Sequence, residues 1–221
     1  MSLFVTGTDT GVGKTYTATQ LLRLARASGL RSAGYKPVCC GDRHDAELLL
    51  AASDDGLTLD DVNPVWFHTP AAPLTASLVE RRDIDLPLIH EQFEQLSTRF
   101  DVVVVEGVGG WLAPIRDDYF VSDLCAELQL PVLIVARNRL GCLNHTMLTI
   151  ESVAARGLRC VGVAFNNPGP SSDAAETTNL DVLKRISSVP LLPGLTAEIA
   201  AFPPEWRQIS DCRRYTNVSG E

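Results

Sequence analysis

The sequence predicts an α/β fold: a single domain in which a mostly parallel sheet is flanked by helices on both faces. Its 221 residues suffice for one domain with a full hydrophobic core, and we expect that domain to span residues 1–221. Apolar strand-like segments alternate with helical patterns along the chain, which implies right-handed crossovers between parallel strands. Four consecutive valines between Asp101 and Glu106 are typical of a central parallel strand covered on both faces.

The first half of the chain contains four predicted elements before a long polar stretch. Residues 3–6 form a short apolar strand, and residues 14–27 carry apolar positions at helical spacing and end near a glycine. Residues 32–35 are a second predicted strand, and residues 44–53 are a second predicted helix. Residues 54–77 are rich in Asp and Pro, so we expect mostly loop there.

The second half alternates regularly between helices and strands. The apolar spacing predicts helices at residues 89–100, 122–128, 144–156 and 173–186. Apolar runs predict strands at residues 101–106, 131–136, 160–165 and 189–192. In parallel sheets of this kind, ligands bind beyond the carboxyl ends of the strands. The informative ends lie at Thr6, Tyr35, Val105, Ala136 and Phe165.

Composition indicates where the protein is located and which partners it does not bind. No apolar run approaches the roughly 20 residues of a membrane helix, and residues 1–5 lack the basic region of a signal peptide. We therefore expect a cytoplasmic protein. The net charge of -8 argues against nucleic acid and anionic membranes as partners. The six cysteines show no C-x-x-C spacing, which fits reduced thiols.

Residues 7–15 form a glycine-bearing turn between the first strand and the first helix. Backbone amides in such a turn cradle phosphate oxygens, and the helix N-terminus adds positive potential. Lys14 would reach the outer phosphates, and the hydroxyl of Thr15 would bind Mg²⁺. Five residues separate Gly7 from Gly13 where the commonest pattern has four, but the strand–turn–helix context is right. The sequence therefore predicts a P-loop fold.

Two further charged residues stand at strand ends. Glu106 follows the valine run and precedes a second glycine turn, where a carboxylate can hold Mg²⁺ directly or through water. Lys36 follows the second strand. Only three of the 19 basic side chains are lysines, so lysine at positions 14 and 36 indicates a chemical requirement for a compact ammonium.

Five blocks of the sequence together resemble dethiobiotin synthetases in order and spacing. They are GTDTGVGKT, GYKPV, VEGVGGW, LGCLNHTMLT and the NN pair at 166–167, and the match runs from residue 4 to about residue 192. The resemblance implies an ATP- and Mg²⁺-dependent ligase. Such an enzyme closes a cyclic urea on 7,8-diaminopelargonic acid with CO₂, in biotin biosynthesis. It also implies a homodimer with the substrate at the interface.

The resemblance assigns roles to individual residues. Catalytic roles fall on Lys36, beside the carbamate and the γ-phosphate, and on Lys14 and Thr10. The implied Mg²⁺ ligands are Thr15, Asp45 and Glu106. The implied nucleotide-binding residues are Gly11, Val12, Gly13, Lys14, Thr15, Tyr16, Asp45, Glu106, Gly109, Asn166 and Asn167. The implied substrate-binding residues are Lys36, Cys40, Gly109, Gly110 and Asn144.

Structural alternatives exist for four of these residues. Asp45 could serve only to stabilise a helix N-terminus through its charge. Asn144, expected at a helix start, could act as an N-cap, and this role is compatible with binding the substrate carboxylate. Asn166 and Asn167 could form only a turn before a proline instead of reading adenine by amide hydrogen bonds.

The sequence departs from the family pattern at three places. The segment between Lys36 and Asp45 is short. Cys40 stands where the family often has a serine, and a thiol is a weaker hydrogen-bond donor. Residues 194–198 lack the proline expected in a loop near the base, which bears on nucleotide selectivity.

Three other functions are compatible with a P-loop. A P-loop ATPase of the partitioning or metal-cluster-assembly kind carries a lysine early in the loop, and residues 8–10 contain none. Such an enzyme would also give the blocks around Lys36 and Asn144 no role. A ligase for a different substrate and a nucleotide-binding module without catalysis are the remaining alternatives.

Overall fold

The structure is a computed structural model that describes residues 1–167 and 173–193. The strands are β1 (Ser2–Gly7), β2 (Ser32–Tyr35), β3 (Val38–Cys40), β4 (Val65–Phe67), β5 (Val102–Glu106), β6 (Pro114–Arg116), β7 (Tyr119–Phe120), β8 (Val132–Arg137), β9 (Cys160–Asn166) and β10 (Leu191–Pro193). The helices are α1 (Lys14–Ala27), α2 (His44–Ala52), α3 (Leu59–Val62), α4 (Pro73–Glu80), α5 (Leu86–Arg99), α6 (Val121–Glu127), α7 (Cys142–Ala155) and α8 (Ala174–Ile186). Within these ranges no helix has the length and apolar character needed to cross a membrane.

The central sheet has six strands in the order β10-β9-β8-β1-β5-β2, and every neighbouring pair is parallel. β1 lies inside the sheet, with Phe4 opposite Val105 on one side and Val132 on the other. The predicted mostly parallel sheet is confirmed. Its order places the ends of β1, β2 and β5 side by side, since β5 separates β1 from β2.

Alternate residues of the valine strand pack into two separate cores. Val103 and Val105 face a cluster that includes residues of α5, α6 and α7. Val102 and Val104 face a second cluster, built on residues of α1 and α2. Helices therefore cover both faces of the sheet, and the all-valine run is explained because neither face meets water.

The expectation of mostly loop over residues 54–77 is wrong in part. Helix α3, strand β4 and the first turns of α4 lie there. The polar residues that suggested a loop instead form caps: Thr58 and Asp61 make a reciprocal capping box at the start of α3. Strand β4 pairs in parallel with β3, and Phe67 in β4 is fully buried.

The expected start of the helix predicted at residues 144–156 is also corrected. Helix α7 begins at Cys142, and its N-cap is Gly141, whose φ of 91° is a left-handed conformation. Asn144 therefore lies in the first turn of α7 and is not its cap. The other predicted helices and central strands are found within three residues of their expected bounds.

Candidate active site

The phosphate loop runs from the end of β1 to the first residue of α1. Gly11 and Gly13 have φ values of 71° and 97°, which residues other than glycine rarely adopt. A Cβ atom on Gly13 would lie 2.3 Å from the side-chain nitrogen of Asn166. The backbone of this turn is therefore fixed by glycine on the loop and by an asparagine from β9.

Lys14 is buried at the start of α1. Its Nζ donates a hydrogen bond to the carbonyl oxygen of Asp9 at 3.1 Å. Burial, with the nearby Lys36 ammonium adding to it, lowers the pKa of Lys14 to about 8. An anion in the adjoining cavity would favour the charged form of this lysine.

Lys36, Asp45, Glu106 and Thr15 form one hydrogen-bonded cluster at the strand ends. The Nζ of Lys36 donates to Glu106 Oε1 at 2.6 Å and to Asp45 Oδ2 at 3.0 Å. The hydroxyl of Thr15 lies 2.8 Å from Asp45 Oδ1 and 2.9 Å from Glu106 Oε1. The ends of two strands, β2 and β5, and the first turns of two helices, α1 and α2, thus meet at a single group of charges.

Burial and charge set the protonation of this cluster. Lys36 is 2% exposed, and burial alone would lower its pKa, but the Glu106 and Asp45 carboxylates outweigh burial and raise it. Burial likewise works to raise the pKa of Asp45, and the Lys36 ammonium and the Thr15 hydroxyl lower it. Burial raises the pKa of Glu106, against the opposing charge of Lys36. Lys36 is therefore a fixed cation.

The oxygen atoms of this cluster fit a magnesium ion. Glu106 Oε2 is buried and has no hydrogen-bond partner among the described residues, so a ligand-binding atom is left over. Carboxylate and hydroxyl oxygens are hard donors of the kind that Mg²⁺ prefers, and Mg²⁺ commonly takes one or two carboxylates together with phosphate oxygens and water. Thr15, Asp45 and Glu106 are the residues that would hold it.

A cavity of about 670 Å³ opens above the cluster. Eleven predicted site residues line it: Thr10, Gly11, Gly13, Lys14, Thr15, Lys36, Cys40, Asp45, Glu106, Gly109 and Gly110. The lining residues that the sequence analysis missed are Cys39, Asp42, residues 70–73, Val108 and Ala113. Val108 lies within the block VEGVGGW, and only proximity to GYKPV and VEGVGGW could have indicated Cys39, Asp42 and Ala113. Residues 70–73 gave no signal, because they reach the cavity through the β3–β4 pair.

Five other predicted residues lie outside that lining. Val12 and Tyr16 belong to the phosphate loop and α1, and Asn167 is an exposed residue just after β9. The side-chain nitrogen of Asn166 donates to the carbonyl oxygen of Val12 at 2.8 Å. Asn166 therefore supports the phosphate loop, and its contact with the base stays a prediction. Residues 194–198, expected near the base, lie outside the described residues.

Asn144 is exposed beside a second groove of about 400 Å³. That groove shares Gly110 and Ala113 with the main cavity, so the two spaces adjoin. Its other lining residues are Thr8, Asp9, Trp111, Leu112, His145, Leu148, Thr149 and Ser152. The first turn of α7 thus borders this groove, although Asn144 itself does not line it.

Solved structures with the same architecture share little sequence with this chain. A septum site-determining protein MinD from Pyrococcus horikoshii, complexed with Mg-ADP, covers 87% of the chain and 82% of its own length at a TM-score of 0.50 and 17% identity. A putative plasmid partition protein from Borrelia burgdorferi, bound to AMPPNP, covers 91% and 90% at a TM-score of 0.50 and 12% identity. These likenesses support the fold alone.

Sequence relatives match far more closely. The AAA domain family matches residues 1–199. An ATP-dependent dethiobiotin synthetase from Akkermansia muciniphila is 43% identical over 86% of this chain and 90% of its own length. One from Aromatoleum aromaticum is 42% identical over 91% and 92%. One from Anaeromyxobacter dehalogenans is 44% identical over 84% and 85%. With this identity over nearly the full length of each relative, the chain belongs to the family of ATP-dependent dethiobiotin synthetases.

Proposed function

We propose that this protein is a ligase of biotin biosynthesis that makes dethiobiotin from 7,8-diaminopelargonic acid, CO₂ and ATP, with Mg²⁺. The observation that carries the proposal is the position of Lys36. Its ammonium lies between Asp45 and Glu106, and all three line the cavity that the phosphate loop also borders. A fixed cation beside a phosphate site suits a reaction in which negative charge develops on two neighbouring groups.

ATP binding is assigned to the phosphate loop. The amides of residues 11–15 and the N-terminus of α1 would surround the phosphates, and Lys14 would neutralise their outer oxygens. Mg²⁺ bound by Thr15, Asp45 and Glu106 would supply further positive charge to the phosphates. The buried and unpartnered Glu106 Oε2 supports this ligand set.

The proposed chemistry forms two C–N bonds. One substrate amine attacks CO₂ and loses a proton, which gives a carbamate. A carbamate oxygen attacks the γ-phosphorus of ATP, ADP leaves, and a carbamic–phosphoric anhydride results. The second amine then attacks the carbamate carbon, phosphate leaves with the bonding electrons, and a proton is released. Lys36 would stabilise the charge on the carbamate and on the phosphoryl group in transit.

The remaining parts of the proposal concern substrate position, assembly and location. Gly109, Gly110, Cys40 and Thr10 line the cavity and are assigned to the substrate. The substrate carboxylate is assigned to the first turn of α7, where Asn144 lies, in a homodimer that places this turn next to a second copy. The exposed side chains of Leu112 and Leu148 in the groove support such an interface. The cytoplasmic location stays a prediction.

The direct test is product formation by purified protein. The protein would be incubated with ATP, Mg²⁺, bicarbonate and diaminopelargonic acid, and dethiobiotin would be followed by mass spectrometry. We expect product from the wild type and a loss of about 10²-fold or more in kcat for Lys36→Ala, because a preorganised charge is removed. Lys184→Ala is the matched control, since Lys184 is an exposed lysine on α8.

The outcomes separate the alternatives. Wild-type protein that binds ATP but gives no dethiobiotin would favour a ligase for another substrate or a module without catalysis. Equal turnover by Lys36→Ala and wild type would remove the proposed role of Lys36 while leaving the reaction in place.

A further inference from the structure

Arg139 connects the turn before α7 to the phosphate loop. It lies two residues after the end of β8, and its Nη2 donates to Asp9 Oδ2 at 3.0 Å. Both side chains are about half exposed, at 49% for Arg139 and 52% for Asp9. Nothing in the proposed reaction uses this pair, although Asp9 belongs to the loop assigned to the phosphates.

Asp9 makes two more contacts that bear on the loop. Its Oδ1 accepts a hydrogen bond from the backbone amide of Thr10 at 2.7 Å. Its carbonyl oxygen accepts the bond from Lys14 Nζ at 3.1 Å. A shift of Asp9 would therefore also move Thr10 and Lys14, and both of these residues line the main cavity.

The Asp9 carboxylate would weaken ATP binding if it were not neutralised, because it is an anion next to the site assigned to the triphosphate. Like charges within a Debye length repel, and the Debye length is about 8 Å at physiological salt. Asp9 lines the second groove and is absent from the lining of the main cavity. Its side chain is thus paired with Arg139 on the groove side of the loop.

The backbone of Arg139 is held by a buried asparagine pair. The side-chain nitrogen of Asn179, on α8, donates to Asn138 Oδ1 at 3.0 Å and to the carbonyl oxygen of Arg139 at 3.2 Å. Asn138 in turn donates to the carbonyl oxygen of Glu176 at 2.7 Å. Asn138 and Asn179 are 4% and 5% exposed, so Arg139 projects from a turn that is fixed to α8.

We propose that Arg139 is a positioning residue for ATP binding: it neutralises the carboxylate of Asp9 and holds it on the groove side of the phosphate loop, away from the phosphates. The inference rests on the proposed ATP-dependent function. It predicts that Arg139 acts through Asp9, and that removing the charge of Asp9 removes the need for Arg139.

The test is a double-mutant cycle on ATP binding. The Kd for ATP with Mg²⁺ would be measured by calorimetry for wild type, Arg139→Ala, Asp9→Asn and the double variant. We expect Arg139→Ala to raise the Kd about three- to fivefold, as suits a half-exposed ion pair. The Kd of the double variant should equal that of Asp9→Asn. The effect of Arg139→Ala should also shrink at 0.5 M salt, because the Debye length falls with rising salt, to about 3 Å at 1 M.

Arg159→Ala is the matched control. Arg159 is exposed just before the amino end of β9, whereas the phosphate loop follows the carboxyl end of β1. Its substitution changes the net charge by the same amount. It should leave the Kd unchanged. The KM for diaminopelargonic acid and the melting temperature would be measured for every variant, since a merely structural role would lower the melting temperature without a specific change in Kd.

Three results would overturn the inference. The first is a Kd that rises in Arg139→Ala and stays raised in the double variant, which would mean direct contact of Arg139 with phosphate. The second is a rise in the KM for diaminopelargonic acid alone, which would place Arg139 at the substrate. The third is an unchanged Kd in all variants. A wild type that binds no ATP would instead refute the proposed function, and the inference with it.

Discussion

At the scale of single residues, we expect the two thiols that line the cavity, those of Cys39 and Cys40, to be unreactive. Burial raises the pKa of Cys40 to about 12 and that of Cys39 to about 11. Only the thiolate is nucleophilic, so a raised pKa keeps both cysteines protonated at physiological pH. The cysteine at position 40 therefore introduces no reactive group into the site.

This predicts the pH dependence of alkylation at Cys40. Iodoacetamide should modify it at least about 10²-fold more slowly at pH 8 than it modifies an unhindered thiol peptide. Because the folded pKa lies above the range, the rate should rise about tenfold per pH unit up to pH 10 without a plateau. Peptide mass spectrometry would measure the rate, and Cys40→Ser would separate the signal of Cys39. A plateau near pH 8 or 9 would show that burial does not control this thiol.

At the scale of elements, the contact between Gly13 and Asn166 makes the phosphate loop depend on β9. Gly13→Ala should raise the Kd for ATP about tenfold or more, because it strains a positive φ and drives Cβ into the Asn166 amide. Gly157→Ala is the matched control, since Gly157 has a φ of 68° and a Cβ there would meet nothing within 4 Å. It should cost about 1 kcal/mol of stability and leave ATP binding intact.

Calorimetry would report the ATP affinity of both variants, and denaturant unfolding would report their stability. A Gly13→Ala variant that binds ATP as tightly as Gly157→Ala would contradict the proposed dependence on Asn166.

The elements also show what sequence reasoning could and could not supply. The valine run and the helical spacing predicted the central sheet, because a strand that is buried on both faces is apolar at every position. The loop expected at residues 54–77 was wrong in part because Thr58 and Asp61 serve as caps, and cap residues are also common in loops. The start of α7 was misplaced because Gly141 caps it through backbone geometry, which no side-chain pattern signals.

The same division holds for the site. Motifs predicted the residues at strand ends, and the structure brings Lys36, Asp45, Glu106 and Thr15 together. Spacing could not predict that Lys36 Nζ contacts both carboxylates, nor that Asn166 donates to the phosphate loop, because both depend on three-dimensional contacts. The ion pair of Arg139 with Asp9 joins residues that share no motif.

At the scale of the whole molecule, the proposed homodimer can be tested at the groove beside α7. Leu112 and Leu148 are 54% and 57% exposed there. We expect Leu148→Glu to shift the protein towards monomer in analytical ultracentrifugation and to lower activity, because a charge would be buried at the interface. Leu78→Glu is the control, because Leu78 is a leucine of α4 that is 68% exposed and does not line the groove.

Two results would contradict the dimer. One is a wild-type monomer with full activity. The other is equal sedimentation of the Leu148→Glu and Leu78→Glu variants, which would show that the groove is not an interface.

The central place of β1 in the sheet has a consequence for the newborn chain. Phe4 pairs with Val105 of β5 on one side and Val132 of β8 on the other. The first strand to leave the ribosome therefore stays unpaired until β5 and β8 have been synthesised, about 100 residues later or more. Such long-range pairing slows folding and leaves apolar segments exposed meanwhile. A shortened chain that stops before β8 would therefore lack one neighbour of β1, and we expect it to be a substrate for chaperones and proteases and not a smaller enzyme.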